Sequence, residues 1–489
     1  MPDEFRSGER TILMRVHLAV AAVLPIAVSL FAILGYAEDW SRFRGPNGSG
    51  VSKATGFPTQ FSRDSNVIWR TPARSGKSSP ILTRTHVFLT AFEDGKLFTQ
   101  CFDRKSGRLL WERAEARPRE EGGNLLNQPA AITPVTDGEN VYVFFPDLGL
   151  ISYDSAGNLR WKTLLGPFTN TMGLAASPIL AEDSIIVVAD QQEESFIAAF
   201  DRRTGKIRWK TAREEKDGWA TPVIFHPAGA DSQILTASRG YLGAHRVKNG
   251  ARSLTHSRLS PAIVASPVLE HNTLFTFGYG HESATPFSNI LARYDKNQDG
   301  KLSPDEYGTN ALIIGIGRWE GNRDRIVTKE EWDEKQRQVV APSSLLAIRL
   351  EGNPGSASRD SIHPREIWRF ERNFVGVIPS PLVYDGVLYL LRNGGILATF
   401  DAQTGEVLRT ERVQGALGAY SASPVAGDGK IYLASEEGKI AVLRSGRGWT
   451  VLAVNELGEG CFATPALSEG NIYLRTGAAL YRFGSAEPH

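Results

Sequence analysis

Phe200-Asp201-Arg202-Arg203-Thr204-Gly205-Lys206-Ile207-Arg208-Trp209 reads as a β-hairpin. A strand ends at Phe200, the Asp201 carboxylate can accept hydrogen bonds from turn amides, and Gly205 can take the positive φ from which the return strand starts. Beyond the glycine, Ile207 and Trp209 alternate with Lys206 and Arg208, so the return strand is expected to bury the first pair and wet the second. The pattern recurs as Phe102-Asp103-Arg104-Lys105-Ser106-Gly107-Arg108-Leu109-Leu110-Trp111 and as Tyr153-Asp154-Ser155-Ala156-Gly157-Asn158-Leu159-Arg160-Trp161. It returns without its tryptophan at Phe400-Asp401-Ala402-Gln403-Thr404-Gly405-Glu406-Val407-Leu408-Arg409. A unit repeated this often sets the architecture.

A second marker gives the count. Ser-Pro or Thr-Pro, followed by an apolar strand, occurs at Ser79, Thr133, Ser177, Thr221, Ser266, Ser380, Ser423 and Thr464. Those eight positions are 41 to 54 residues apart except for one interval of 114. Within unit three the order is Ser177-Pro178-Ile179-Leu180, then Ser184–Ala189, then Phe196–Phe200, then the return through Trp209. Four short strands per repeat of this length predict an all-β, eight-bladed β-propeller. The last unit stops one strand short, and Asn66-Val67-Ile68-Trp69-Arg70 carries the missing fourth-strand pattern. The N-terminal strand is therefore expected to complete the last blade and close the ring.

The 55 Lys+Arg residues stand against 54 Asp+Glu, a net charge of +1, which gives no electrostatic footprint for nucleic acid. Two cysteines, Cys101 and Cys461, rule out a disulfide framework and read as isolated buried thiols. Arg6, Arg10 and Arg15 precede an apolar run from Val16 to Leu34, and Gly35-Tyr36-Ala37 offers small residues for cleavage. This reads as a secretory signal peptide, which places the chain in the periplasm or outside the cell; an uncleaved anchor is the alternative that would bring it to a membrane. The expected organisation is a signal peptide at 1–37, a leader over the propeller at 38–65, blades at 66–280 and 343–484, an insertion at 281–342, and a tail at 485–489.

The Asp-x-x-Thr/Ser-Gly-x-x-x-Trp hairpins resemble the tryptophan-docking repeats of pyrroloquinoline-quinone (PQQ) dehydrogenase-like propellers. That superfamily includes quinoprotein alcohol dehydrogenases and the non-enzymatic outer-membrane-protein assembly factor. The likeness runs from about Asn66 to Phe483 outside the insertion. It implies that Trp111, Trp161, Trp209 and Trp368 pack between neighbouring blades, with Arg409 and the unit at His245–Leu254 departing from the pattern.

The long interval holds Asp295-Lys296-Asn297-Gln298-Asp299-Gly300-Lys301-Leu302-Ser303-Pro304-Asp305-Glu306. This stretch is similar to an EF-hand calcium loop at every diagnostic position. A hard cation of this size takes oxygen ligands, here Asp295, Asn297, Asp299, the Lys301 carbonyl, Ser303 through water and bidentate Glu306, while Gly300 allows the bend. A second loop follows, with Glu320, Asn322, Asp324, Ile326, Thr328 and Glu331 at matching positions. It carries Arg325 where glycine is needed, which strains the bend and brings a positive charge near the cation. Leu302 is expected to form a short strand contact with this partner loop.

No catalytic set is legible. The resemblance implies a catalytic aspartate and a vicinal cysteine pair for PQQ-dependent members, yet Cys101 and Cys461 are far apart in sequence and no aspartate here can be assigned that role. The histidines show no paired metal spacing. Segments entering the first strands should gather at one mouth of the channel, with Asn127, Gln128, Trp219 and Tyr420 as candidates to line it. The expectation is a monomeric binding or scaffolding propeller carrying calcium, with a protein, polysaccharide or small molecule at its face. A PQQ-dependent alcohol or sugar dehydrogenase of the cell envelope is the alternative.

Overall fold

The computed structural model describes residues 40–120, 127–257, 259–280, 283–319, 321–352, 362–372 and 378–484. The expected signal peptide, the tail and Glu320 lie outside them, as do residues 123–126 of the segment that enters blade two. Among the described residues no helix is long and apolar enough to cross a membrane.

Eight four-stranded antiparallel sheets form the propeller. Blade three shows the grammar, with Ile179–Ala181 innermost, then Ser184–Ala189, Phe196–Asp201 and, at the rim, Ile207–Ala212. Its second and third strands are apolar along nearly their whole length because neighbouring blades cover both their faces. The rim strand alone alternates between half-buried and exposed. In blade eight, Val67–Pro72 pairs with Ala479–Phe483, so one sheet joins the two ends of the propeller sequence. Arg104 of blade one, 3% exposed, fastens that seam by donating to the Tyr473 hydroxyl and to Ser468 Oγ of blade eight, both at 2.9 Å.

The Ser/Thr-Pro pairs explain themselves around the channel. The amide of Ser79 donates to Thr133 Oγ1, that of Thr133 to Ser177 Oγ, and so on through Thr221, Ser266, Ser380 and Ser423 to Thr464, whose amide donates back to Ser79 Oγ. All eight bonds lie between 2.9 and 3.2 Å and form a closed hydroxyl ring. A short hydroxyl is needed because it must reach the next blade's amide, and the proline behind it has no N–H to leave unpaired.

The hairpin of the rim forms a second circle. Asp201 Oδ1 accepts from the amides of Arg203 and Thr204, and Gly205 has φ +70°. Gly205 also serves as a platform, since a Cβ there would lie 2.4 Å from the Trp161 ring of the preceding blade. Trp161 Nε1 donates to Arg202 O at 3.1 Å, and Trp69, Trp111, Trp209 and Trp368 repeat the arrangement on Arg104, Ser155, Val247 and Ala402. Blade four's irregular hairpin therefore receives its tryptophan normally. Where Arg409 replaces tryptophan, its guanidinium lies 4.3 Å from the Trp449 ring centroid and Nη1 donates to the Trp449 carbonyl at 2.6 Å.

One detail of the hairpin differs from the simple alternation. Ala199 pairs with Trp209 but the adjacent Phe200 pairs with Ile207, so Arg208 is a bulge. Neighbouring residues point to opposite faces, and the bulge therefore turns Ile207 away from the tryptophan face. Ile207 is 53% exposed, as are Leu159 at 54% and Leu109 at 42% in the equivalent places.

The partner of the bulge in blade four is His245, which occupies the position of Phe102, Tyr153, Phe200 and Phe400 in other blades. It is fully buried and neither ring nitrogen has a hydrogen-bond partner among the described residues. Burial, with Arg213 and Arg252 nearby, lowers its pKa from 6.5 to about 3. Above about pH 6.5 the ring is neutral in both folded and unfolded chains; as pH falls towards 3, only the unfolded chain takes up the proton, so stability falls. His245→Phe is expected to spare about 2–3 kcal/mol of the acid-induced loss between pH 7 and 4.5. Urea unfolding at the two pH values checks this, and an identical pH dependence in both proteins would contradict it.

Both cysteines are free and buried, and burial pushes the Cys461 thiol up to about 12. The leader crosses the axial channel, its Trp40 and Ser41 carbonyls accepting from Leu82 and Thr136 of blades one and two. Asn47 exchanges two bonds with Ile224 of blade four, and Ser52 donates to Ala426 of blade seven.

Candidate functional site

Two features stand out from the repeat: the insertion in blade five and the loops at the channel mouth beneath it. The insertion leaves after the strand Thr273–Gly278 and returns at Ser344–Gly352. It comprises helices α1 (Phe287–Tyr294), α2 (Pro304–Tyr307), α3 (Ala311–Trp319) and α4 (Lys329–Val339) around a small core that includes Phe287, Leu302, Tyr307, Ile316, Val327 and Trp332. Helices α2 and α4 begin with matching capping boxes, Ser303 with Glu306 and Thr328 with Glu331. Leu302 and Val327 exchange backbone bonds of 3.0 and 2.9 Å, so the two loops are joined by an antiparallel bridge.

Within the first loop, Gly300 has φ +78° and its amide donates to Asp295 Oδ2 at 3.0 Å. Asn297 Oδ1 and Asp299 Oδ1 each accept an amide two residues on, both at 2.9 Å. Glu306 spans the loop, accepting from Lys296 and Asn297 with Oε1 and from Ser303 with Oε2. The Ser303 amide and hydroxyl hold its carboxyl down to about 2. Asp295 Oδ1 is buried with no donor among the described residues. The Lys301 carbonyl lies at the loop's midpoint.

The second loop copies these bonds: Asn322 Oδ1 accepts from Asp324, Asp324 Oδ1 from Ile326, and Glu331 from Asn322 and Thr328. Arg325 takes the glycine position with φ +70°, the left-handed strain anticipated for a side chain there. Among the described residues no three carboxylate, imidazole or thiol groups are clustered; in the first loop the Asp295, Asp299 and Glu306 carboxylates each accept from backbone amides of the loop.

At the mouth, Asn127 Nδ2 donates to Gly173 O at 3.0 Å, and Trp219 Nε1 donates to the same carbonyl at 3.2 Å and to Asn170 Oδ1 at 3.0 Å. The loops of blades two, three and four thus meet at Gly173. Gln128 lies beside them, half-buried, with its carbonyl accepting from Ala131. Tyr420 is placed elsewhere: it is fully buried in the core between blades six and seven, its hydroxyl donating to Ala416 O. Its aromatic bulk completes that core instead of facing the mouth.

The structure adds residues that sequence reading passed over. Asp217 accepts from the Thr171 amide and hydroxyl and from the Gln192 amide group, and burial raises its pKa. Behind it, Arg213 forks onto Asp190 with both groups buried. Asp217 has φ +43°, which no local motif announces. Alongside opens a cleft of about 690 Å³ lined by residues including Phe168, Thr169, Gln191, Glu193 and Lys210. The insertion reaches this place, with Arg323 of the second loop paired to Glu193 and Gly315 of α3 packed near Thr171.

Comparison with known proteins bears on the propeller. The family described as outer membrane protein assembly factor BamB matches residues 55–256 and 347–484, which leaves the insertion unmatched. Among solved structures, BamB from Moraxella catarrhalis is similar at 13% identity and a TM-score of 0.54, over 86% of this chain and 98% of that one. Quinohemoprotein alcohol dehydrogenase from Comamonas testosteroni is similar at 12% identity and a TM-score of 0.52, over 92% of this chain and 82% of that one. At these identities the likeness concerns fold alone. No curated protein matches the chain by sequence.

Proposed function

The chain belongs to the family of the outer membrane protein assembly factor BamB, and from that premise we propose that it is an exported binding or scaffolding propeller of the cell envelope whose inserted EF-hand pair binds calcium. The observation that carries this reading is the bridged pair of loops seated beside the mouth cleft. Asp295, Asn297, Asp299, the Lys301 carbonyl, Ser303 through water and Glu306 would hold the ion. The buried, donor-free Oδ1 of Asp295 fits a cation ligand. The second loop offers Asn322, Asp324, the Ile326 carbonyl, Thr328 and Glu331, with Glu320 as its first residue. Its Arg325 adds a positive charge that weakens it.

Bound calcium supplies charge neutralisation and a rigid tie between loop ends. The chain's own residues do the rest. Leu302 and Val327 keep the loops in register, and the Arg323–Glu193 pair fixes the insertion against blade three. The partner, whether a protein, a polysaccharide or a small molecule, meets the face where Asn127, Gln128, Trp219 and the cleft lie. Calorimetric titration of the full chain with calcium tests the metal reading, with heat expected from the first loop at micromolar to millimolar calcium. No binding at millimolar calcium would remove it.

A further inference from the structure

The leader carries positive charge into the channel with no carboxylate set against it among the described residues. Arg42 is 6% exposed and Arg44 is fully buried. Arg42 Nη2 donates to Pro222 O at 2.6 Å, and Arg44 Nη2 donates to Pro381 O at 2.8 Å and to Ser49 O at 3.4 Å. Pro222 and Pro381 directly follow Thr221 and Ser380, so both guanidinium groups reach the level of the hydroxyl ring.

Several of the other donors are unmet. Arg42 Nε, Arg44 Nε, Arg44 Nη1 and the leader indole Trp40 Nε1 are buried without a hydrogen-bond partner among the described residues. Every one is a donor that cannot accept, and arginine keeps its proton in proteins. Burial is the sole influence on both guanidinium groups and lowers each to about 9, with no carboxylate acting against it.

Two other buried arginines have more partners. Arg213 has Asp190, and Arg475, whose Nε is likewise without a partner among the described residues, donates to the carbonyls of Arg74, Ser78 and Thr90 and to Ser78 Oγ. Arg44 has neither a carboxylate nor a full set of carbonyls, and it also holds a φ of +62°, a conformation costly for any side chain with a Cβ. A buried charge persists when it is paired, and the guanidinium fork matches the oxygen geometry of an oxyanion.

We propose that the axial channel holds one small oxyanion at Arg42 and Arg44 as a structural ligand. Phosphate, sulfate and a small carboxylate share the required chemistry: negative charge, several acceptor oxygens and no donor. Such an anion joins the leader to the inner strands of blades four and six, which these arginines already touch.

The full chain, refolded from urea with selenate as its sole oxyanion and crystallised, is expected to show anomalous density against Arg42 and Arg44. Water or chloride alone at both guanidinium groups would overturn the proposal. In solution, at ionic strength fixed with sodium chloride, the favoured anion is expected to raise the thermal midpoint by about 3 °C at 100 times its dissociation constant. Phosphate and sulfate arms report an inorganic oxyanion, and acetate and formate arms a carboxylate. The shift should vanish in Arg42→Met/Arg44→Met; if that variant does not fold, the anomalous map of the unmodified chain decides alone. Equal midpoints in all four anions and in chloride would also overturn it.

Discussion

Replacing both Asp295 and Glu306 with alanine is expected to abolish the calorimetric calcium signal of the first loop, a loss of at least 100-fold in affinity. Asp295 opens the loop and contributes the oxygen left without a donor, and Glu306 closes it. Glu306 has a second task, because its carboxylate ties the Lys296, Asn297 and Ser303 amides together. Alanine there removes both the ligand and the loop's internal brace. Glu306→Gln separates the two, since its amide keeps one acceptor oxygen for the loop but loses the bidentate charge. The glutamine variant should retain the unmodified chain's far-ultraviolet circular dichroism while losing most of the calcium heat. Undiminished heat in the double alanine variant would place the bound ion elsewhere.

The second large effect lies in the propeller. Trp161→Ala is expected to lower stability by about 3–4 kcal/mol, from lost burial and the cavity it leaves. The ring covers Gly205 of the next blade and donates to Arg202 O, so its loss opens the seam between blades two and three. Ile207→Ala, two residues beyond that glycine, is expected to stay within about 0.5 kcal/mol, because 53% of the side chain already faces solvent. Urea unfolding of both variants checks the contrast. Comparable losses would mean that the bulge does not turn Ile207 outward.

That pair also shows what was legible in the sequence. The blades, their number, the strand closing the ring and the docking tryptophans were readable because the same local chemistry recurs at a fixed spacing. The bulge at Arg208 was not, since an extra residue in a strand leaves no mark on an alternating pattern until its partner strand is known. The proposed loop ligands could be named for the opposite reason: an EF-hand would take its oxygens from one short segment, so spacing alone nominates them. The mouth was harder. Asn127 and Trp219 share the Gly173 carbonyl of a third blade, and Asp217 finds its partner Thr171 forty-six residues away. Tyr420 looked equivalent to Trp219 in sequence, yet the neighbouring blades enclose it completely. The leader's turn-rich composition announced a segment lying on a surface, whereas the burial of Arg42 and Arg44 depends on the channel that eight blades create together.

The proposed binding or scaffolding role stands against one alternative, PQQ-dependent oxidation of an alcohol or sugar. It is tested most directly by reconstituting the full chain with PQQ and calcium and following dye reduction across a panel of alcohols and sugars. Dye reduction no faster than in protein-free controls is the predicted result. Robust quinone-dependent turnover would contradict the account and make the chain a dehydrogenase.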